Sequence, residues 1–110
     1  MNIEEIKPEI EDFVEDLDCV IGICQTEYKE ILKNKFKTEE KYFVYYLFDS
    51  KDNLIYVGYT FQLVIRMMAH KGNKRFNKIL LIRVSNKKDA FDIERTEIKY
   101  YKPKLNKKSK

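Results

Sequence analysis

Residues 42–58 read YFVYYLF-DSKDN-LIYVG, and this stretch decides the fold. Residues 42–48 are all aromatic, β-branched or leucine, residues 49–53 are polar turn formers, and residues 54–58 return to strand formers with a final glycine. Aromatic and β-branched residues favour strands, and a short polar segment between two such runs is typical of a hairpin. The stretch therefore predicts two antiparallel strands joined by a tight turn.

Two helices and a third strand are predicted after the hairpin. Thr60 can cap a helix that runs to about Lys71. Its inward stripe is predicted to be apolar: Phe61, Val64, Ile65 and Met68. A basic, polar loop follows, and residues 79–84 have the composition of a strand. Ser85 or Asn86 caps a last helix, which Pro103 ends.

The first forty residues are predicted to be an acidic, helical extension. Within residues 6–17 the apolar residues recur at helical spacing: Ile6, Ile10, Phe13, Val14 and Leu17. Pro8 is tolerable in the first turn, where its missing N–H would have no intrahelical partner. Residues 19–33 suit a second helix, although residues 20–23 would also suit a short strand.

Charge divides the chain into two unequal parts. Residues 1–40 hold 12 acidic and 5 basic residues, whereas residues 41–110 hold 6 acidic and 17 basic residues. A strongly basic part is typical of a protein that binds a polyanion such as nucleic acid. The cations expected to contact phosphate lie in the polar loop and near the end of the chain: Lys71, Lys74, Arg75, Lys102 and Lys104.

The acidic segment allows three interpretations. Its apolar stripe packs on the core, or its carboxylates cover the basic cleft as a mimic of DNA, or it docks a protein partner or a second copy of the chain. Elsewhere Phe76, Tyr100 and Tyr101 lie among lysines. Packing is their expected use, and stacking on unpaired bases is the alternative.

Length and hydropathy predict one small cytoplasmic domain. The chain has 110 residues, of which 44% are hydrophobic, enough for one modest core. No apolar run approaches the roughly 18 residues of a membrane span, and the first residues are acidic. We therefore expect neither a membrane span nor a secretory signal.

Six polar residues follow the predicted elements at particular spacings: Tyr45, Tyr56, Arg66, His70, Glu94 and Asn106. The two tyrosines stand eleven positions apart across the hairpin, and the arginine follows the second by ten. The histidine lies one helical turn further on, and the glutamate precedes the asparagine by twelve. This order of elements and residues resembles the GIY-YIG nuclease family over about residues 42–106.

The resemblance implies a small α/β (α+β) domain in which a three-stranded antiparallel sheet is flanked by helices. Residues 1–40 would be the acidic helical extension, residues 41–106 the nuclease domain and residues 107–110 a basic tail. The resemblance also implies a divalent-metal-dependent endonuclease that hydrolyses DNA phosphodiester bonds with low or structure-directed specificity. RNA stays open as a substrate. The competing hypothesis is a non-catalytic module on the same fold that binds nucleic acid or protein.

Glu94 is the expected metal ligand. A lone carboxylate suits Mg²⁺, with Mn²⁺ as a substitute, because Mg²⁺ keeps several waters and takes other contacts from substrate phosphate. Glu97, three residues later, is the fallback ligand, although a surface carboxylate is the preferred interpretation. Arg66 offers a planar cationic fork for phosphate, and His70 shares its helix face.

The resemblance assigns roles to the remaining residues. The first tyrosine, here Tyr45, is often the base in family mechanisms, and the second, Tyr56, positions the water or a phosphate. A tyrosine with a pKa near 10 is a poor base, so Tyr45 needs help from Arg66 or a metal ion, or it relays a proton. Asn106 either holds the phosphate or braces the site through its amide.

Two positions depart from the family pattern. Phe43 stands where the family usually has glycine, and Tyr59 stands where many members carry lysine. One cationic phosphate contact is therefore missing from its usual place. Lys71, Lys74 and Arg75 are the candidates to replace it.

Overall fold

The computed structural model describes residues 2–13, 17–20, 42–62, 65–66, 69–70, 75–84 and 86–106. The named elements are helix α1 (Ile3–Phe13), strands β1 (Leu17–Val20), β2 (Tyr42–Phe48), β3 (Leu54–Thr60) and β4 (Lys78–Val84), helix α2 (Lys87–Tyr101), and a 3₁₀ turn (Lys104–Asn106). Residues 65, 66, 69 and 70 are also helical. The helices and the sheet confirm the predicted α+β class.

The strands form one antiparallel sheet in the order β1-β4-β2-β3. The predicted hairpin is confirmed as β2 and β3, in which Tyr45 pairs with Gly58, and the predicted third strand is β4. The prediction of three strands lacked β1, which pairs with β4 through Leu17 and Ile82 and makes a fourth. Leu17 also fits the helical stripe, but pairing with the open edge of β4 outweighs that periodicity.

Helix α1 begins earlier than predicted because a reciprocal cap forms at its N-terminus. The Glu4 N–H donates to Asn2 Oδ1 at 2.8 Å, and the Asn2 N–H donates to Glu5 Oε1 at 3.0 Å. The placement of Pro8 in the first turn was therefore wrong, since Pro8 lies inside the helix. Of the two alternatives for residues 19–33, the helix is wrong at Cys19 and Val20, which are in β1, and the short strand over residues 20–23 is confirmed at Val20. Residues 21–33 lie outside the described residues.

The main hydrophobic cluster lies between one face of the sheet and the two helices. Ile3, Ile6 and Ile10 of α1 are buried in it, together with Ala90 of α2 and residues from three strands. Burying an isoleucine side chain stabilises a fold by about 1.5–3 kcal/mol relative to leaving it in water. The packing interpretation of the acidic segment is therefore confirmed for α1, while residues 21–41 lie outside the described residues.

Both ends of α2 follow the predicted signals. Asn86 is the N-cap, and its Oδ1 accepts the Asp89 N–H at 2.8 Å. Ser85 lies outside the described residues. At the other end Lys102 adopts a left-handed conformation with φ of 50°, its N–H donates to the Ile98 carbonyl at 2.8 Å, and the buried Pro103 follows.

The opposite face of the sheet carries Tyr45 and Gly58, which are paired across β2 and β3. His70 packs against this face with only 5% of its surface exposed. The inward stripe predicted for its helix is wrong at Phe61 and Ile65, which are 60% and 62% exposed. Ile65 lies about 140° around a helix from His70, so burial of one turns the other outward. Val64 and Met68 lie outside the described residues.

Among the helices that the structure describes, none is both long and apolar enough to cross a membrane.

Candidate active site

A short hydrogen bond joins the two residues at the centre of the site. The Tyr45 hydroxyl oxygen lies 2.6 Å from His70 Nε2, and both side chains are buried. The His70 ring also packs against the Tyr45 and Tyr56 rings, with centroid separations of 5.4 and 4.9 Å. The structure therefore brings together three of the six residues that the sequence singled out.

Burial sets the acid–base character of the tyrosine pair. The Tyr45 and Tyr56 ring centroids are 6.1 Å apart, and each tyrosine affects the pKa of the other. Desolvation by burial raises the pKa of Tyr45 far above its ordinary value; neighbouring Tyr56 and Glu94 raise it further, and Arg66 opposes them. Burial likewise raises the pKa of Tyr56. Both hydroxyls are therefore protonated at neutral pH.

Gly58 makes room for the Tyr45 ring. A Cβ atom at this position would lie 2.5 Å from the Tyr45 hydroxyl oxygen, 2.6 Å from its Cζ and 3.0 Å from a Tyr56 ring carbon. Gly58 lies within β3, two residues before its end at Thr60. Its lack of a side chain lets the ring pass close to the backbone.

A cavity of about 310 Å³ opens along β3 beside this pair. Its lining includes Tyr45, Tyr56 and Gly58 from the hairpin, Arg66 from the following helical segment, and Glu94 from α2. Glu94 is half-buried, and desolvation raises the pKa of its carboxyl group, an effect that nearby Arg95 partly offsets. Arg66 and Glu94 both act electrostatically on the two tyrosines, so the four groups form one coupled site.

Glu94 is the one predicted metal ligand in this cavity. Within the part of the chain that the structure describes, no group of three or more His, Cys, Asp or Glu residues is arranged to hold a metal. A single half-buried carboxylate beside a polar opening fits an ion such as Mg²⁺, which needs few protein ligands. It does not fit a site that takes all of its ligands from the protein.

Asn106 braces β3 and is absent from the cavity lining. Its Oδ1 accepts the Val57 N–H at 2.8 Å, and its Nδ2 donates to the Val57 carbonyl at 2.9 Å. Of the two roles that the sequence left open for Asn106, this geometry is that of a brace. Because Val57 lies between Tyr56 and Gly58, the brace fixes the backbone of the strand that lines the cavity.

Glu97 is neither a surface carboxylate nor part of the cavity lining, so the preferred interpretation of it was wrong. It is only 6% exposed and accepts a hydrogen bond from the Tyr46 hydroxyl at 2.7 Å. Tyr46 belongs to the sheet face that packs against the helices. Glu94 and Glu97 are about 60° apart around α2, and this rotation turns Glu97 into the core.

Sequence reasoning missed Lys87, which also lines the cavity. It is the first residue of α2 and precedes Glu94 by seven positions, two turns of helix, so both side chains share one face. That spacing was the signal available in the sequence. Lys87 supplies a second cation to the cavity, in addition to Arg66, and Tyr59 of β3 lines the same cavity.

Three of the five predicted phosphate-contacting cations are described, and all are exposed: Arg75, Lys102 and Lys104. Lys71 and Lys74 lie outside the described residues. Phe76 is buried and Tyr101 donates a hydrogen bond to Glu9 at 2.7 Å, which agrees with the packing expected of them. Tyr100 is 64% exposed.

The arrangement supplies a protonated tyrosine pair joined to an imidazole, two cations and one carboxylate around a single opening. Such a set can move a proton, offset negative charge and hold one divalent cation. Comparison with protein-family models, with curated proteins and with solved structures finds no match to this chain.

Proposed function

We propose that the chain is a divalent-metal-dependent endonuclease that hydrolyses DNA phosphodiester bonds with low or structure-directed specificity. The observation that carries the proposal is the 2.6 Å contact between the Tyr45 hydroxyl and His70 Nε2 beside a cavity that Arg66 and Glu94 also line. Hydrolysis of a phosphodiester needs an activated water and compensation of charge on the phosphate. These side chains supply both.

The proton path in this proposal runs from water through the tyrosines to His70. With Tyr45 buried and its pKa raised, direct deprotonation of that hydroxyl is unfavourable. A neutral imidazole that accepts at Nε2 removes this difficulty, because Tyr45 gives its own proton to His70 as it takes one from Tyr56. Tyr56, the less buried tyrosine, faces the cavity and orients the attacking water. Tyr45 is thus a relay, and His70 holds the proton.

Arg66 and Lys87 are proposed to bind phosphate. As the water oxygen bonds to phosphorus and the bond to the leaving oxygen breaks, negative charge increases on the phosphate oxygens. The planar guanidinium of Arg66 can donate two parallel hydrogen bonds to these oxygens, whereas the ammonium of Lys87 acts as a point charge. Lys87 lies about 10 Å along the helix axis from Glu94, so its position suits a neighbouring phosphate.

Glu94 is proposed to hold Mg²⁺ or Mn²⁺ through its carboxylate. When bound, such an ion lowers the pKa of coordinated water and neutralises charge on phosphate oxygens. The raised pKa of the Glu94 carboxyl group implies that cation binding becomes weaker as the solution is acidified, because the ligand form is the carboxylate.

The test is a cleavage assay on supercoiled, single-stranded and branched DNA with Mg²⁺, Mn²⁺ or EDTA. The comparison includes wild type and the Glu94→Ala, Tyr45→Phe and His70→Ala variants. We expect metal-dependent cutting that Glu94→Ala abolishes and that Tyr45→Phe slows by about 10²–10⁴-fold. The double variant Tyr45→Phe/His70→Ala should be no slower than the worse single variant, because the two groups act as a unit.

A chain that cuts no substrate with either metal, yet binds DNA in a salt-sensitive way, would refute hydrolysis and support the binding-module hypothesis. Cutting that persists in EDTA or in Glu94→Ala would refute the metal role of Glu94. Each variant is first checked for folding by circular dichroism, so that loss of rate is not loss of structure.

A further inference from the structure

Aromatic side chains line the same cavity beyond the catalytic groups. Tyr42, Tyr59 and Phe61 are among its lining residues. Phe61 exposes 60% of its surface, and its ring centroid lies 5.9 Å from that of Tyr42, which is half-buried at the start of β2. A large apolar ring held at the mouth of a polar cavity is unlike the scattered exposed apolar residues of ordinary surfaces.

The neighbouring charges indicate what such a ring would contact. Lys87 and Arg66 line the same cavity, so an apolar surface and two cations are available to one ligand. Nucleotides present both chemistries, since a base has a flat apolar face and its phosphate is anionic. A paired base keeps its faces against its neighbours in the duplex, and only an unpaired base is free to stack on protein.

We propose that Phe61, supported by Tyr42, stacks on an unpaired nucleobase next to the phosphate that is cut. The substrate class is therefore single-stranded nucleic acid, or duplex with unpaired nucleotides at a branch, gap or end. This inference rests on the proposed function, whose catalytic groups lie in the same cavity. It adds a base-binding subsite that the polar residues alone do not imply.

Tryptophan fluorescence provides a direct test, because the chain contains no tryptophan. The Phe61→Trp variant places a single indole at the cavity mouth, and stacking of a base quenches its emission. The probes are oligothymidine, oligouridine and a blunt duplex of equal length, each added in EDTA so that no hydrolysis occurs. The matched control is Tyr100→Trp, because Tyr100 is 64% exposed on α2 and is absent from the cavity lining.

We expect single strands to quench Phe61→Trp and the duplex to leave its emission nearly unchanged, with little response from Tyr100→Trp. The Phe61→Ala variant should bind oligothymidine about tenfold more weakly than wild type, because a loss of this size is expected when one base no longer stacks on an aromatic ring. The oligouridine arm shows whether the subsite distinguishes RNA from DNA.

Equal quenching by duplex and single strand, or unchanged oligothymidine binding in Phe61→Ala, would overturn the subsite. The same holds if Tyr100→Trp responds and Phe61→Trp does not. These outcomes are separate from the cleavage assay. If the chain cuts DNA but shows no quenching, the proposed function stands and the base-binding subsite is refuted. If it shows quenching but cuts no DNA, the subsite stands and the proposed function is refuted.

Discussion

The Tyr45 ring occupies the space in which a side chain at position 58 would lie. A Cβ on Gly58 would lie 2.5 Å from the hydroxyl oxygen of the fully buried Tyr45, well inside contact distance. The glycine in the strand and the hydrogen bond to His70 are therefore two consequences of one ring position.

The Gly58→Ala variant tests this packing. We expect a loss of about 1–3 kcal/mol in the free energy of unfolding, because an extra methyl group in a packed site forces its neighbours to shift. We also expect slower cleavage, since the displaced group is the tyrosine hydroxyl. Urea denaturation and the cleavage assay measure the two effects. In a Tyr45→Ala background the two shortest contacts of the added methyl are removed and the Tyr56 ring carbon at 3.0 Å remains. A Gly58→Ala cost that is undiminished in that background would contradict the explanation.

The phosphate role of Lys87 is tested against its neighbour in sequence. Lys88 is exposed and pairs with Asp92 at 3.0 Å, and it is absent from the cavity lining. We expect Lys87→Ala to reduce the slope of log affinity against log salt by about 0.7–0.9, the value of one phosphate contact. Lys88→Ala should leave the slope nearly unchanged. Equal effects of the two variants would show only a general contribution of charge.

The brace formed by Asn106 predicts a stability effect. Asn106→Ala removes both partners of the Val57 backbone and should lower the free energy of unfolding by about 1–3 kcal/mol. Asn106→Asp keeps the acceptor for the Val57 N–H but removes the donor to the Val57 carbonyl. At low pH the protonated carboxyl can donate, so the decrease in the free energy of unfolding should be smaller there than at neutral pH. Leu105→Ala, at a 42% exposed neighbour, is the control. Weaker DNA binding in Asn106→Ala with unchanged stability would indicate a phosphate contact instead.

Glu97 makes the stability of the fold depend on pH. Desolvation raises the pKa of its carboxyl group, Glu9 adds to the rise, and the Tyr46 hydrogen bond opposes it. A folded-state pKa above the unfolded value gives stability that is complete below the unfolded value, 4.5, and is lost as pH rises through the folded value. Glu97→Gln keeps the acceptor for Tyr46 without the charge. Its stability relative to wild type should therefore increase with pH across that window.

Thermal unfolding of wild type and Glu97→Gln at several pH values measures this difference. Tyr46→Phe provides the second variant: because it removes the hydrogen bond that lowers the Glu97 pKa, its stability should fall more steeply with pH than that of wild type. A constant difference between Glu97→Gln and wild type at all pH values would contradict the assignment.

The hairpin and α2 were predictable because their signals are local. Continuous runs of strand formers on both sides of a polar turn define β2 and β3, and the cap at Asn86 and the stop at Pro103 bound α2. The ends of α1 were not predictable from periodicity alone. The Asn2–Glu5 cap moves its start, and pairing of Leu17 with β4 depends on a strand more than sixty residues away.

Some residues of the candidate site were likewise predictable from the sequence, and others depend on how the elements pack. Sequence spacing identified Tyr45, Tyr56, Arg66 and Glu94, which the structure brings to one cavity, and His70 behind them. Lys87 escaped notice because its position at the cavity depends on how α2 packs along β3. Phe61 was assigned to the core because an apolar residue at helical spacing usually faces inward, whereas in the structure it lies in a bend directly after β3 and is 60% exposed.

The amide of Asn106 also affects how β3 meets other chains. An edge strand with free backbone groups can pair with a strand of another molecule, the route to β-sheet aggregation and to capture of extended peptides. At Val57 both outward backbone groups are already bonded to one side chain, so an approaching strand would find no donor or acceptor there. One amide therefore blocks pairing with another strand at Val57, while the adjoining cavity stays open to ligand.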